Sequence, residues 1–347
     1  MMFLQARLFS LFFIGIGIIR GTADTECPSV FSPPRDRRSS SEKLRVVQYN
    51  VEWLFLDYYA NSKCPGSGCT WVNQSEAELH LSTVAKNLAV LDADIVNFAE
   101  IEGCDELNAL IGYNISTNYA SYLKKGTDTA TGQNVGMLTK IDPLVNLYRT
   151  EERVSYPIPG SKCGYTGPAG TSGVSKHYIT EFDVNGWKIA FIGAHLLAIP
   201  TDPTRCSERE AQAQVLQDVI VEYYKNDYEI IMLGDFNDYD GEVLDSNAHH
   251  PISKVLDILK GIAGVHAGEY SLSSIAEMIP SSKRFTDWYD PNGDCISTSN
   301  EFSMIDHLLV TKGLQNNVDN AFIYQAYPEF CGKYNSDHYP VVVDFLF

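Results

Sequence analysis

The chain has 347 residues, 44% of them hydrophobic and 20% charged, so it can bury a large core and is not a disordered polymer. Its formal charge of −18 at pH 7 excludes a protein that holds nucleic acid through a broad basic surface. An enzyme that meets a phosphate through metal ions is not excluded, because acidic residues are what such a site needs.

Residues 1–23 combine Arg7, an apolar run from Leu8 to Ile19 and the small-residue end Gly21-Thr22-Ala23. This is the pattern of a cleaved signal peptide, and the run is too short for a comfortable bilayer span. Loss of the segment removes Arg7 and Arg20 and takes the net charge from −18 to −20. Eight cysteines remain, which in an oxidising compartment implies disulfides. Cys64 and Cys69 bracket a Pro/Gly loop suited to a bridge of its own, and Cys163 is placed to tether a second loop. Two glycosylation sequons begin at Asn73 and Asn114. The expectation is a secreted, extracellular monomer. No later stretch is long and apolar enough to cross a membrane, so no stable membrane association is expected.

Residues 24–43 lack an apolar period, contain Pro33-Pro34 and Ser39-Ser40-Ser41, and read as a flexible linker. Leu44–Leu54 is rich in Val, Tyr and Trp and reads as a strand, with Asn50 and Glu52 sharing one face near its end. Leu79–Leu91 repeats Leu81, Val84, Ala85, Leu88 and Leu91 at helical spacing, and Ala93–Ile101 reads as a buried strand that delivers Glu100. Strand, helix, strand is the grammar of an α/β protein.

Asn134–Leu138 is a further strand, and the Gly/Pro-rich segment from Tyr156 to Val174 is a long surface loop. Asn185-Gly186 joins Lys176–Val184 to Lys188–His195 in a predicted hairpin whose second strand ends in a histidine. Glu208–Tyr224 follows as an amphipathic helix. The apolar run Ile230–Leu233 reads as a strand buried on both faces, ended by Gly234. On an extended chain Asp235 and Asn237 then project to one side. Phe302–Val310 is a strand interrupted by Asp306 and His307, and a carboxylate there needs a partner. Ser336-Asp337-His338-Tyr339-Pro340 leads into a last strand, Val341–Phe347.

Asn50-x-Glu52, Glu100, His195, Gly234-Asp235-Phe236-Asn237, Ile305-Asp306-His307 and Ser336-Asp337-His338-Tyr339-Pro340 stand in an order that resembles the endonuclease/exonuclease/phosphatase superfamily. The resemblance runs from about Leu44 to Phe347 and implies one domain over 44–347. The implied fold class is α/β (α+β), a DNase I-like four-layer sandwich of two packed mixed β-sheets flanked by helices. It also implies hydrolysis of phosphate esters with Mg²⁺, or with Mn²⁺ or Ca²⁺. Carried over by position, Asn50, Glu100 and Asp337 are metal-site residues, and His195, Asp235, Asn237, Asp306 and His338 are catalytic. Asp235 and Asn237 hold the attacking water and the scissile phosphate. Asp306 orients His338, which acts as general base or phosphate-binding imidazole, and His195 serves the transition state or the leaving group.

The chemistry suits the residues. Oxygen ligands favour hard divalent cations, which neutralise an anionic ester. Imidazoles titrate near neutrality and move protons. Lys176 and His177 are expected to contact substrate, as are Arg284 and Trp288, where basic and aromatic residues together suit phosphate and base stacking. The leading expectation is an endonuclease acting on DNA or RNA. The alternatives are a phosphodiesterase or phosphatase on lipid or small-molecule phosphates, and an inactive binding module.

Overall fold

The computed structural model describes residues 27–58, 69–113, 115–116, 118–327 and 334–347. Strands β1 (Lys43–Leu54), β2 (Ile95–Ile101), β3 (Ala120–Leu123) and β4 (Asn134–Thr139) come first, with helices α1 (Gln74–Leu91) and α2 (Cys104–Gly112) among them. A small ribbon of β5 (Val154–Tyr156) and β6 (Gly170–Ser172) precedes the hairpin β7 (Lys176–Val184) and β8 (Trp187–His195). Helix α3 (Pro203–Lys225) leads into β9 (Glu229–Asp235), and the short helix α4 (Val255–Leu259) follows. Then come β10 (Leu272–Ser274), β11 (Asp287–Trp288), β12 (Phe302–Ser303) and β13 (Asp306–Thr311). Helix α5 (Lys312–Gln315), β14 (Val318–Ile323) and β15 (Val341–Leu346) complete the chain.

Two mixed sheets carry the architecture, one ordered β14-β15-β1-β2-β4-β3 and one ordered β10-β13-β9-β8-β7. Side-chain alternation with period two sorts each strand between layers. Ile231 and Leu233 face the space between the sheets, with Val46, Met137, Phe191 and Val343. Their neighbours Ile230 and Met232 turn outward beneath Ala211, Val215 and Ile220 of α3. On the other sheet Val47, Tyr49, Val96 and Phe98 turn outward beneath Leu81, Val84 and Leu88 of α1. The result is helix, sheet, sheet, helix, the expected four-layer sandwich.

Helix α1 begins five residues before the predicted start. Asn73 accepts the Glu76 backbone N–H at 3.1 Å, a polar cap that the apolar period alone does not reveal. The segment read as a flexible linker is fixed over its described part. Cys27 is bridged to Cys104, and the Arg37 backbone N–H donates to the Lys140 carbonyl at 2.8 Å. The Arg37 guanidinium lies 2.6 Å from Asp142. Its polar composition concealed partners more than a hundred residues away. Cys163 does tether the long loop, by a bridge to Cys206 in α3. The signal-peptide reading, Cys64 and Asn114 fall outside the described residues.

Candidate active site

One row of the five-stranded sheet carries Lys176, His195, Asp235 and Asp306 side by side. Lys176 pairs with His195, His195 with Asp235, and Asp235 with Asp306. Each lies in phase with the interior set of its own strand, which includes Tyr178, Phe191, Leu233 and Leu308. Strand β9 can end this way because Gly234 has no side chain: a Cβ there would lie 1.8 Å from the Ala194 carbonyl oxygen. Beyond it the chain turns through Asn237 at φ 51°, whose N–H donates to Asp235 Oδ1 at 2.9 Å.

The facing sheet brings Asn50 and Glu100. The pairing of β1 with β2 shifts register between Asn50 and Leu54, and that of β2 with β4 between Ala99 and Ile101. Glu52, Trp53 and Glu100 take φ values of 49°, 50° and 67°. Left-handed backbone at such residues costs about 1–3 kcal/mol each and is typical of functional sites. Strict alternation would turn Glu100 outward beneath the helices, and the bulge re-aims it. Asn50 Nδ2 donates to Glu100 Oε1 at 3.1 Å and to Asp235 Oδ2 at 3.0 Å. Asn50 Oδ1 accepts the Glu52 N–H at 3.0 Å, which sets the amide's orientation. Asn50 thus ties a carboxylate of one sheet to a carboxylate of the other.

His338 enters from the loop before β15. Its Nδ1 lies 2.6 Å from Asp306 Oδ2, and its Nε2 lies 3.7 Å from Asp287 Oδ1 and 3.9 Å from Asp337 Oδ1. Ser336 Oγ holds the loop, accepting the His338 N–H at 3.0 Å and donating to the Asn50 carbonyl at 2.8 Å. His195 Nε2 stands 3.5 Å from Asp235 Oδ2, while its Nδ1 is buried with no hydrogen-bond partner among the described residues.

Three overlapping groups have ligand atoms within 4.8 Å of one another: Glu100 with His195 and Asp235, Asp235 with Asp306 and His338, and Asp287 with Asp337 and His338. Burial, then the adjacent Asp306, pushes the Asp235 carboxyl up to about 8. Burial pushes Asp337 to about 7, and Asp287 and Glu100 add to its rise. Burial lowers His195, so its imidazole is neutral. His338 is raised despite its burial, because Asp306, Asp337 and Asp235 surround it. Carboxylates forced together in this way are a donor set for a divalent cation on oxygen ligands. The set fits Mg²⁺, Mn²⁺ or Ca²⁺ better than a thiolate-seeking ion.

The structure therefore brings Asn50, Glu100, His195, Asp235, Asn237, Asp306, Asp337 and His338 together at one end of the sandwich. Lys176 belongs to the same row, with Nζ 3.2 Å from Gln133 Oε1 and 3.6 Å from Asp128 Oδ2. Three other expected contacts are not there. His177 falls on the opposite face from Lys176, because neighbours on a strand alternate. Its Nδ1 lies 2.8 Å from the Val174 carbonyl and its Nε2 accepts the Thr150 N–H at 3.0 Å, so its role is structural. Arg284 spends its guanidinium on the carbonyls of Ile279, Leu244 and Glu277. Trp288 is 1% exposed and its Nε1 donates to Glu301 Oε2 at 2.9 Å, so no base can stack on it. Glu52 is spent on Thr70 Oγ1 at 2.8 Å and on the Asp337 N–H at 3.1 Å.

Asp287, Gln48 and Asn97 were not anticipated. Asp287 sits in a stretch read for its basic and aromatic residues. Gln48 and Asn97 did leave a signal, as polar side chains inside the apolar runs of β1 and β2.

No protein-family model matches the sequence, and no curated protein matches it. Solved structures do match its fold. A humanized D. rerio TDP2 is 16% identical, with a TM-score of 0.51 over 89% of this chain and 100% of that one. An endonuclease/exonuclease/phosphatase family protein from Bacteroides thetaiotaomicron is 17% identical, with a TM-score of 0.51 over 88% and 98% of the two chains. The human Nocturnin catalytic domain with bound sulfate anion is 14% identical, with a TM-score of 0.50 over 88% and 95%. The chain has the fold of the endonuclease/exonuclease/phosphatase proteins.

Proposed function

We propose that the protein is a divalent-metal-dependent phosphoesterase that cleaves phosphodiester bonds, with nucleic acid as its substrate, and that it acts outside the cell as a monomer. The observation that carries this reading is the convergence of Asp306–His338, Asn50, Glu100 and His195 on Asp235, from both sheets. Glu100 and Asp235 in one group, and Asp287 and Asp337 in another, are the carboxylates that would hold a cation, with Asn50 beside the first. When bound, such an ion neutralises the phosphate and polarises its oxygens.

The chain's own residues do the rest. Asp235 and Asn237 flank the place of the attacking water; a cation held beside Asp235 would favour its ionised carboxylate, and in that form Asp235 is the group that takes the water's proton. Asp306 holds Nδ1 of His338 and leaves Nε2 to donate to a phosphate oxygen. His195, neutral and buried, donates toward the charge that develops in the transition state. Lys176 adds a cation at the end of the row. The bond from water oxygen to phosphorus forms as the bond from phosphorus to the ester oxygen breaks; the leaving oxygen takes a proton from solvent, and Asp235 returns the one it accepted.

A second reading is favoured by one observation. Trp288 is buried and Arg284 is internally occupied, so the loop has less to offer a long polyanion than its composition suggested, and a smaller phosphate ester would need neither. Incubation with supercoiled plasmid, sphingomyelin and an inositol phosphate, each with Mg²⁺ and with chelator, separates the two. Chelator-sensitive nicking supports the nuclease. Release of phosphocholine or phosphate without nicking replaces it with the second reading. Inactivity on all three would leave a binding module.

A further inference from the structure

A chain of buried polar side chains reaches the Asp306–His338 pair from inside the sandwich. Tyr178 Oη donates to Asn97 Oδ1 at 2.6 Å, Asn97 Nδ2 donates to Gln48 Oε1 at 2.5 Å, and Gln48 Nε2 donates to Asp306 Oδ1 at 3.0 Å. Asp306 Oδ2 then accepts from His338 Nδ1. The path begins in β7, crosses to β2 and β1 of the facing sheet, and returns to β13. Tyr178, Asn97 and Gln48 are each 0% exposed.

The direction of the chain follows from its end. A carboxylate only accepts, so Gln48 must present its NH₂ to Asp306 and its oxygen to Asn97. Asn97 must then present its NH₂ to Gln48 and its oxygen to Tyr178, which donates. All three links point toward Asp306. Space for the first link depends on Gly193, the register partner of Tyr178. A Cβ at Gly193 would lie 2.3 Å from Asn97 Oδ1 and 2.7 Å from the Tyr178 ring. The surroundings of the chain are apolar core, where polar groups are costly and apolar ones would pack as well.

We propose that Gln48, Asn97 and Tyr178 are positioning residues, a one-way hydrogen-bond chain that locks the Asp306 carboxylate and through it aims the His338 imidazole. Gln48 binds the one Asp306 oxygen that His338 does not. Without it the carboxylate is free about its terminal torsion, which is soft, and the imidazole loses its fixed direction. The catalytic consequence rests on the phosphoesterase reading; the positioning itself does not.

The test uses the full chain with Gln48→Leu, Tyr178→Phe, Asp306→Asn and the Gln48→Leu/Asp306→Asn double variant. Gln48→Leu is expected to lower kcat by about 10- to 100-fold, the scale of one hydrogen bond to a charged group, with KM unchanged. Tyr178→Phe, which breaks the chain two links further back, is expected to lower kcat by less. In the Asp306→Asn background Gln48→Leu should add no further loss, because both act through one group. Additive losses, or KM and kcat moving together, would overturn the chain. A readout without substrate accompanies these: the downfield proton resonance of His338 Nδ1–H should move in both Gln48→Leu and Tyr178→Phe. An active enzyme with this resonance and kcat unmoved sinks the proposal. If the wild type is inactive on every ester yet the resonance moves, the phosphoesterase reading fails and the chain stands.

Discussion

Asp235 and Asp306 face each other in register across β9 and β13, both turned into the interior of the sandwich. Without a cation, burial and this neighbour raise the Asp235 carboxyl to about 8. Between the ordinary carboxyl range and about 8 the unfolded chain has therefore released a proton that the folded chain still holds. Stability from this group is lost as pH rises through that window, by at most about 1.4 kcal/mol per pH unit. Asp235→Asn lacks the titration. In chelator, its melting temperature should gain on that of the wild type from pH 4 to pH 8, while its turnover with cation falls by about 10³-fold or more. Thermal melts at both pH values, beside a rate assay, check both halves.

Cation binding should appear as stability. An ion that binds only the folded state at a hundred times its Kd stabilises by about 2.7 kcal/mol. Mg²⁺ or Mn²⁺ should therefore raise the melting temperature by several degrees, and chelator should reverse the rise together with activity. Asp337→Ala and Glu100→Ala should each blunt the rise. An unchanged melting temperature across millimolar Mg²⁺ and Mn²⁺ would remove the metal site.

Trp288 separates a core residue from a substrate platform. Trp288→Ala should destabilise by about 3–5 kcal/mol through the cavity it leaves. Trp288→Phe should lose less. Neither should raise KM specifically for single-stranded over double-stranded substrate, and such a rise would restore the stacking role.

His177 supplies a pH signature away from the carboxylates. Burial, with Arg149 nearby, lowers its imidazole to about 4. A depressed folded value means that stability is complete above the unfolded value and is lost as pH falls through the window down to about 4. The slope from this one group is at most about 1.4 kcal/mol per pH unit. The stability difference between wild type and His177→Gln, from denaturant melts, should shrink from pH 7 to pH 4. Activity near neutral pH should persist in any variant that folds, because His177 does not face the site.

Much of the architecture is legible in the chain. Apolar runs such as Ile230–Leu233 and Ala93–Ile101 announce buried strands, the Asn185-Gly186 turn announces its hairpin, and carboxylates or imidazoles at strand ends announce a shared edge. Those signals are local, because periodicity and turn chemistry depend on neighbours a few residues apart. The phase of a strand even carries the distinction between Lys176 and His177, which adjacency in sequence obscures.

What only the tertiary structure decided is where long-range partners meet. Gln48 and Asp306 are 258 residues apart and 3.0 Å from each other. Arg284 and Trp288 have the composition of a phosphate-and-base contact, yet carbonyls and a carboxylate inside the domain claim them first. The bulges at Glu52 and Glu100 depend on the strands that pair beside them. A residue's type sets which bonds it can make. Which partner reaches it is set by packing two sheets face to face, and no local pattern encodes that.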